Sequence, residues 1–257
     1  MRVCFLLVFL GLSGVGLAQS RDVRVVLNFS DGRVLSGGGA GGVALPGSTL
    51  KPLVLAGALE RGLVSSKTTV DCSGEMRIMG RNLACLHPRG VRVLDAETAL
   101  AYSCNQWFAR LSEHISGGDL RAIMNSYGVV VDAMDEARGT KVLTVLGLRG
   151  SRVSATQLAE AYRRLAIEMQ KKELGVVKEG LLGSVRYGMA HGAAVDGMEI
   201  AGKTGTASEP GQSATHGWFA GILYKNGVPD KVVVVYVARG SGGDAAVRAG
   251  RVFRGLR

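Results

Sequence analysis

The sequence predicts an α+β fold: an antiparallel five-stranded sheet flanked by helices, with a mostly helical subdomain. Three observations predict it. β-like runs stand at both ends of the chain, and helix-period segments fill the middle. Asp-Gly and Asn-Gly pairs mark tight turns between neighbouring runs. A chain of 257 residues, 47% hydrophobic and 20% charged, is long enough for a full core and too apolar for intrinsic disorder.

The elements follow in order. Arg2 precedes an apolar run over residues 3–12, and Gly16-Leu17-Ala18 supplies small residues for cleavage. Residues 1–18 are therefore expected to be a secretory signal peptide, and 19–257 one domain. An uncleaved N-terminal anchor is the alternative, and only that form would meet a membrane. Residues 23–27 and 33–35 are β-like runs around Ser30-Asp31-Gly32, and the Gly-rich stretch 36–42 is a connector. From 48 to 63 the pattern turns helical, with Leu50, Val54, Leu55, Ala58 and Leu59 on one face and Pro52 in the first turn. Residues 72–90, rich in Gly and Arg, read as irregular. Asp95 caps a helix to about 102, and a second starts near Asn105, carrying Trp107, Phe108 and Leu111. Ser154-Ala155-Thr156-Gln157 is a capping box, followed by Leu158, Ala161, Tyr162, Leu165 and Met169 at helical spacing. A further helix covers 178–189. Residues 200–206, 217–224 and 231–238 read as strands, the last two joined at Asn226-Gly227, and 244–253 is a closing amphipathic helix.

Charge and cysteine usage narrow the function classes. The formal charge of +10, from 31 Lys+Arg against 21 Asp+Glu, favours anionic neighbours. Aromatics are only 5% and interleave with no basic run, so no nucleic-acid partner is expected. Export places the chain where ATP and NAD are scarce, and no cofactor is expected. Cys4 lies in the leader; Cys72 and Cys85 bracket a short segment and are candidates for a disulfide, leaving Cys104 as a single thiol packed in the core. His87, His114, His191 and His216 lack ligand spacing, so no metal is expected either.

Three clusters carry candidate chemistry. In Ser48-Thr49-Leu50-Lys51 a serine and a lysine share one face of a helix start. Serine needs an adjacent base, and a lysine serves only if burial or a neighbouring cation depresses its pKa. Free N–H groups at the helix start suit an oxyanion. Alone the pattern is weak, since a chain of this length shows about one by chance. In Ser103-Cys104-Asn105 a hydroxyl suited to proton relay and a carboxamide suited to a peptide group project from a tight loop. Lys203-Thr204-Gly205-Thr206 puts a cation and two hydroxyls on one strand edge, a fit for a carboxylate, with Gly205 permitting close approach. The stretch from Gly197 to Thr204 also fits the phosphate-loop pattern, but Gly205 to Gly211 make a poor helix start, so the strand reading is preferred.

Together these clusters resemble the transpeptidase domain of penicillin-binding proteins, whose motifs run S-x-x-K, S-x-N, K-T-G in that order. The context agrees. Cys72-Ser73-Gly74 to Cys85 is similar to the family's Cys-Pro-Gly to Cys segment, Ser154-Ala155-Thr156-Gln157-Leu158-Ala159 to its T-P-L-Q-L-A helix start, and His216-Gly217-Trp218-Phe219 to its H-a-W-F strand. The resemblance runs from about Val23 to the C-terminus. It implies that Ser48 is acylated with Lys51 as its base. Ser103 would pass a proton to the leaving amine, tuned by Lys203 and Lys51. Asn105 would bind the peptide group, Lys203, Thr204 and Thr206 the terminal carboxylate, and the N–H groups of Ser48 and Thr206 the oxyanion. The implied substrates are peptidoglycan stem peptides ending in D-Ala-D-Ala, with β-lactams as inhibitors and other wall-synthesis proteins as partners. Cys104 departs from the S-D-N pattern. A serine β-lactamase of the same fold and a non-catalytic penicillin-binding sensor or scaffold are the alternatives.

Overall fold

The computed structural model describes residues 22–37 and 42–257. The expected signal peptide, and positions 38–41 of the Gly-rich connector, lie outside them. Among the described residues no helix is long and apolar enough to cross a membrane.

Strands β1 (Val23–Asn28) and β2 (Val34–Gly37) form the first hairpin. Gly32 closes its turn at φ +71°, donating its N–H to Asn28 O at 2.9 Å. A 3₁₀ turn over Gly47–Leu50 then leads into α1 (Lys51–Glu60), with Pro52 in the first turn as predicted. The predicted single apolar face of α1 is wrong. Every residue from Lys51 to Ala58 is buried, because the helix runs through the helical block and is packed from several sides. A helix with no solvent side belongs in a core, so the lysine at its head needs its own explanation.

The irregular segment holds two small ribbons. β3 (Val70–Asp71) pairs with β6 (Val93–Leu94), and β4 (Arg77–Ile78) with β5 (Arg81–Asn82) across a turn whose central residues, Met79 and Gly80, both have positive φ. Asp95 caps α2 (Ala96–Ala101) in a full capping box with Thr98, and α3 (Asn105–Leu111) begins where predicted. Helices α4 (Gly117–Ser126) and α5 (Arg138–Val145) have no counterpart in the sequence reading. The first opens on two glycines and the second is β-branched; packing of Leu120, Ile123, Val142, Leu143 and Val145 overrides those local preferences. The predicted capping box starts α6 (Ala155–Glu168). α7 (Gly175–Arg186) starts one turn before the predicted helix and stops at Arg186.

The C-terminal strands are β7 (Glu199–Ala207), β8 (His216–Lys225) and β9 (Val228–Val237), followed by α8 (Gly242–Arg254), which Ser241 and Asp244 cap. The sheet order is β2-β1-β9-β8-β7, antiparallel throughout, as the sequence predicts. Strand β9 shows why it forms a middle layer. Val232 and Val234 face the helical block, while Val233, Val235 and Val237 face α8. A strand buried on both faces reads as a continuous β-branched run. This leaves β7 as one edge, beside the 3₁₀ turn that opens α1. The phosphate-loop lookalike is excluded by the same placement, since Lys203 and Thr204 lie mid-strand.

Leu53 is fully buried in α1. Leu53→Ala is expected to destabilise the domain by about 2–5 kcal/mol. A fall in the urea midpoint at unchanged slope checks this.

Candidate active site

The segment before Ser48 is held from all sides. The Leu45 carbonyl accepts from His216 Nε2 at 2.8 Å and from Trp218 Nε1 at 3.1 Å. Its N–H donates to Glu209 Oε1 at 3.0 Å, and Arg152 pairs with the same carboxylate at 2.7 Å. Thr49 Oγ1 donates to Pro46 O at 2.8 Å, and the buried Tyr162 hydroxyl donates to Thr49 O at 2.9 Å.

The turn also lies backbone to backbone against β7. Gly47 has φ +55°, and a Cβ there would stand 2.9 Å from Thr206 N. A Cβ on Gly205 would stand 2.4 Å from Pro46 O. Only glycine permits this approach. In the 3₁₀ turn the Lys51 N–H bonds Ser48 O. Residues three apart eclipse in such a turn, so the part-buried Ser48 and Lys51 start from the same side of it.

Lys51 is fully buried. Its Nζ donates to Ser103 O at 2.8 Å, Ser103 Oγ at 3.2 Å and Asn105 Oδ1 at 2.7 Å, and lies 5.1 Å from the Phe108 ring centroid. Burial pulls its pKa down to about 8, against an opposing pull from Cys104 and Cys85. Ser103 holds φ +58°, a left-handed conformation costing a non-glycine residue about 1 kcal/mol or more. That geometry turns both its carbonyl and its hydroxyl toward one amine. Asn105 is oriented by its Nδ2, which donates to Leu83 O and Ala84 O, both at 3.3 Å.

Lys203 is also fully buried, and Nζ donates to Thr204 O at 3.1 Å. Burial and the neighbouring Lys51 charge hold its pKa well below the usual lysine value. Lys203, Thr204 and Thr206 share the edge strand β7, as expected, but not one face of it. Side chains alternate along a strand, so Lys203 projects to one face of β7 and Thr204 and Thr206 to the other. The hydroxyl face is the α8 side, where Thr206 Oγ1 accepts from Gly242 N–H at 2.9 Å.

The structure thus gathers Ser48, Lys51, Ser103, Asn105 and the Thr206 backbone into one junction of sheet edge and helical block, with Gly205 as the point of contact. Sequence reasoning missed Tyr162, Trp218 and Glu209 as the residues that fix the Ser48 segment, and read His216 only as part of a strand motif without ligand spacing. A tyrosine hydroxyl on a buried helical face was the available signal, since such a group requires a partner.

The cysteines also depart from expectation. Cys72, Cys85 and Cys104 are free thiols, and Cys85 Sγ lies 3.8 Å from Cys104 Sγ rather than bridged to Cys72. Sequence spacing set His87 apart from them; the fold brings it alongside, correcting the expectation that no ligand-type residues gather.

Comparisons with known proteins agree with the geometry. A family profile described as "Penicillin binding protein transpeptidase domain" matches residues 37–255. Penicillin-binding protein 1A of Neisseria meningitidis (serogroup A strain Z2491) is 27% identical over 245 residues, covering 82% of this chain and 29% of the relative. The chain therefore spans less than a third of that relative's length. The D,D-transpeptidase domain of a peptidoglycan glycosyltransferase from Eggerthella lenta shares the fold at TM-score 0.80 and 19% identity, covering 93% of this chain and 78% of that one. PBP2 of Helicobacter pylori, in a complex with MreC, shares it at TM-score 0.79 and 16% identity, over 92% of this chain and 60% of that one.

A lysine whose folded pKa is depressed binds fewer protons than the unfolded chain does between the two values. Stability therefore rises with pH across that window. The window for Lys51 runs from about 8 to the ordinary 10.5. Across it, the unfolding free energy of the native protein is expected to gain on that of Lys51→Met by about 1.4 kcal/mol per pH unit. Parallel denaturant titrations of the two proteins check the slope.

Proposed function

Since the chain belongs to the penicillin-binding protein transpeptidase domain family, we propose that it is a serine D,D-transpeptidase or D,D-carboxypeptidase acting on stem peptides that end in D-Ala-D-Ala. The observation that carries this reading is the buried Lys51 amine, one turn from Ser48 and hydrogen-bonded to both Ser103 and Asn105.

A neutral Lys51 amine keeps two donor contacts and turns its lone pair to a hydroxyl. Ser48 Oγ gives its proton to that amine and attacks the carbonyl carbon of the penultimate D-Ala. The N–H groups of Ser48 and Thr206 take the oxyanion. Ser103 donates a proton to the leaving amine and is resupplied by Lys51 or Lys203. Free D-Ala departs and an ester remains on Ser48. An amine attacking that ester crosslinks two strands; water trims one. Asn105 positions the peptide group, and Lys203, Thr204 and Thr206 position the terminal carboxylate. Support for the last assignment is position: all three residues lie on edge strand β7, which borders the Ser48 turn, with their side chains alternating between its two faces.

The proposed compartment is extracytoplasmic, where the substrate lies, with 1–18 as the leader and the remainder as one catalytic domain. Other wall-synthesis proteins are proposed partners, by analogy with the MreC complex of the Helicobacter pylori relative.

A fluorescent penicillin is expected to label the native protein in a single stoichiometric burst and to leave Ser48→Ala unlabelled. Absence of labelling, or sustained turnover of a chromogenic cephalosporin, overturns the assignment. The acylation rate should rise with pH and level off above about 8, as Lys51 loses its proton. Lys51→Met should cut that rate by roughly 10²–10⁴-fold, measured by stopped-flow labelling.

A further inference from the structure

We propose that Cys72, Cys85, His87 and Cys104 form a tetrahedral zinc site that staples the 72–87 segment to the loop carrying Ser103 and Asn105. The three Sγ atoms and a ring nitrogen of His87 all lie within 4.8 Å of one another. Zinc with Zn–S bonds of about 2.3 Å sets tetrahedral sulfurs about 3.8 Å apart. Cys85 and Cys104 already stand at 3.8 Å. The remaining donor pairs, none more than 4.8 Å apart, need to close by at most about 1 Å to reach that spacing.

His87 supplies an independent sign. Its Nε2 is sealed from solvent and has no hydrogen-bond partner. Its Nδ1 lies 3.3 Å from Pro88 O, which can only accept, so the ring proton belongs on Nδ1. Nε2 is left with a free lone pair and no hydrogen-bond partner among the described residues. Metal-bound imidazoles share this arrangement, with the distal N–H fixed on a carbonyl. A disulfide would use two of the thiols and leave the third and the imidazole unexplained.

The donor set selects the metal. Three thiolates and an imidazole suit zinc; calcium and magnesium need oxygen ligands. Four protein ligands fill the coordination sphere, so the site is structural and leaves no position for substrate or water. Each coordinating thiol releases its proton to solvent, and no electron moves. An outer shell is present: the Asn105 N–H donates to Cys85 Sγ at 3.2 Å, and the Cys72 N–H and Cys85 N–H are anchored on Arg92 O and Gly74 O, both at 2.8 Å. Cys104 lies between Ser103 and Asn105, so a metal there also holds the strained Ser103 backbone.

The test uses the full chain, purified without chelator. Elemental mass spectrometry is expected to find one zinc per chain. Cobalt(II) replacing it should give the ligand-field and charge-transfer bands of a tetrahedral thiolate centre. Cys72→Ser and His87→Ala should each weaken zinc binding by more than the roughly 10–100-fold that loss of an outer-shell partner costs. If either variant fails to fold, the native protein's metal content and cobalt spectrum still decide. A native chain that takes up no zinc from a zinc buffer, with three freely reactive thiols or with a disulfide in its intact mass, overturns the proposal. Fluorescent penicillin labelling of the same sample reads the acyl-transfer assignment separately. Zinc without labelling defeats only that assignment, and labelling without zinc defeats only the metal site.

Discussion

The site depends on one unfavourable placement: a lysine amine buried, among the described residues without a carboxylate partner, at the head of the central helix. Burial lowers the amine's proton affinity, and three oxygen acceptors from the Ser103–Asn105 loop keep it from being orphaned. The two effects oppose each other, which is how an amine comes to titrate near neutrality. Lys203 adds a second buried amine nearby, whose Nζ donates to the Thr204 carbonyl, and burial and the Lys51 charge lower its pKa well below the usual lysine value. Each amine thus lowers the cost of deprotonating the other, because two buried positive charges repel.

Such an arrangement needs a rigid frame. The sheet supplies it because its central strands are apolar on both faces and clamped between α8 and the helical block. Its edge strand is then fixed, and the Ser48 turn is fixed against the edge by direct backbone contact at Gly47 and Gly205. His216 and Trp218 from β8, Glu209 from the loop after β7 and Tyr162 from α6 secure that turn. His216 and Trp218, two apart on one strand face, share the Leu45 carbonyl, while Glu209 takes the Leu45 N–H and Tyr162 the Thr49 carbonyl. They converge because β8, α6 and the loop after β7 all border the same corner.

The Ser103 loop is the less regular half. Its left-handed residue, its contacts with the Leu83 and Ala84 carbonyls, and its place beside the thiol cluster tie it to the small ribbons rather than to the sheet. A segment with such short strands has little core of its own, so a cross-link at this point carries more weight there than elsewhere in the domain.

By itself the sequence determined the sheet, the capped helices and the three motif clusters. Valine runs, Asp-Gly and Asn-Gly turns and the Asp95 and Ser154 caps act through local stereochemistry, and local stereochemistry is legible in a string of residues. It did not reveal α4 or α5, where packing outweighs propensity, nor that α1 is buried all round, which depends on how many neighbours surround it. Strand alternation set Lys203 apart from Thr204 and Thr206 and could have been applied to the sequence alone. What only the tertiary structure decided is which distant groups meet: Tyr162 with Thr49, His216 with Leu45, His87 with three thiols. Those contacts join residues far apart along the chain, and their geometry is a property of how layers stack, to which no local pattern is sensitive.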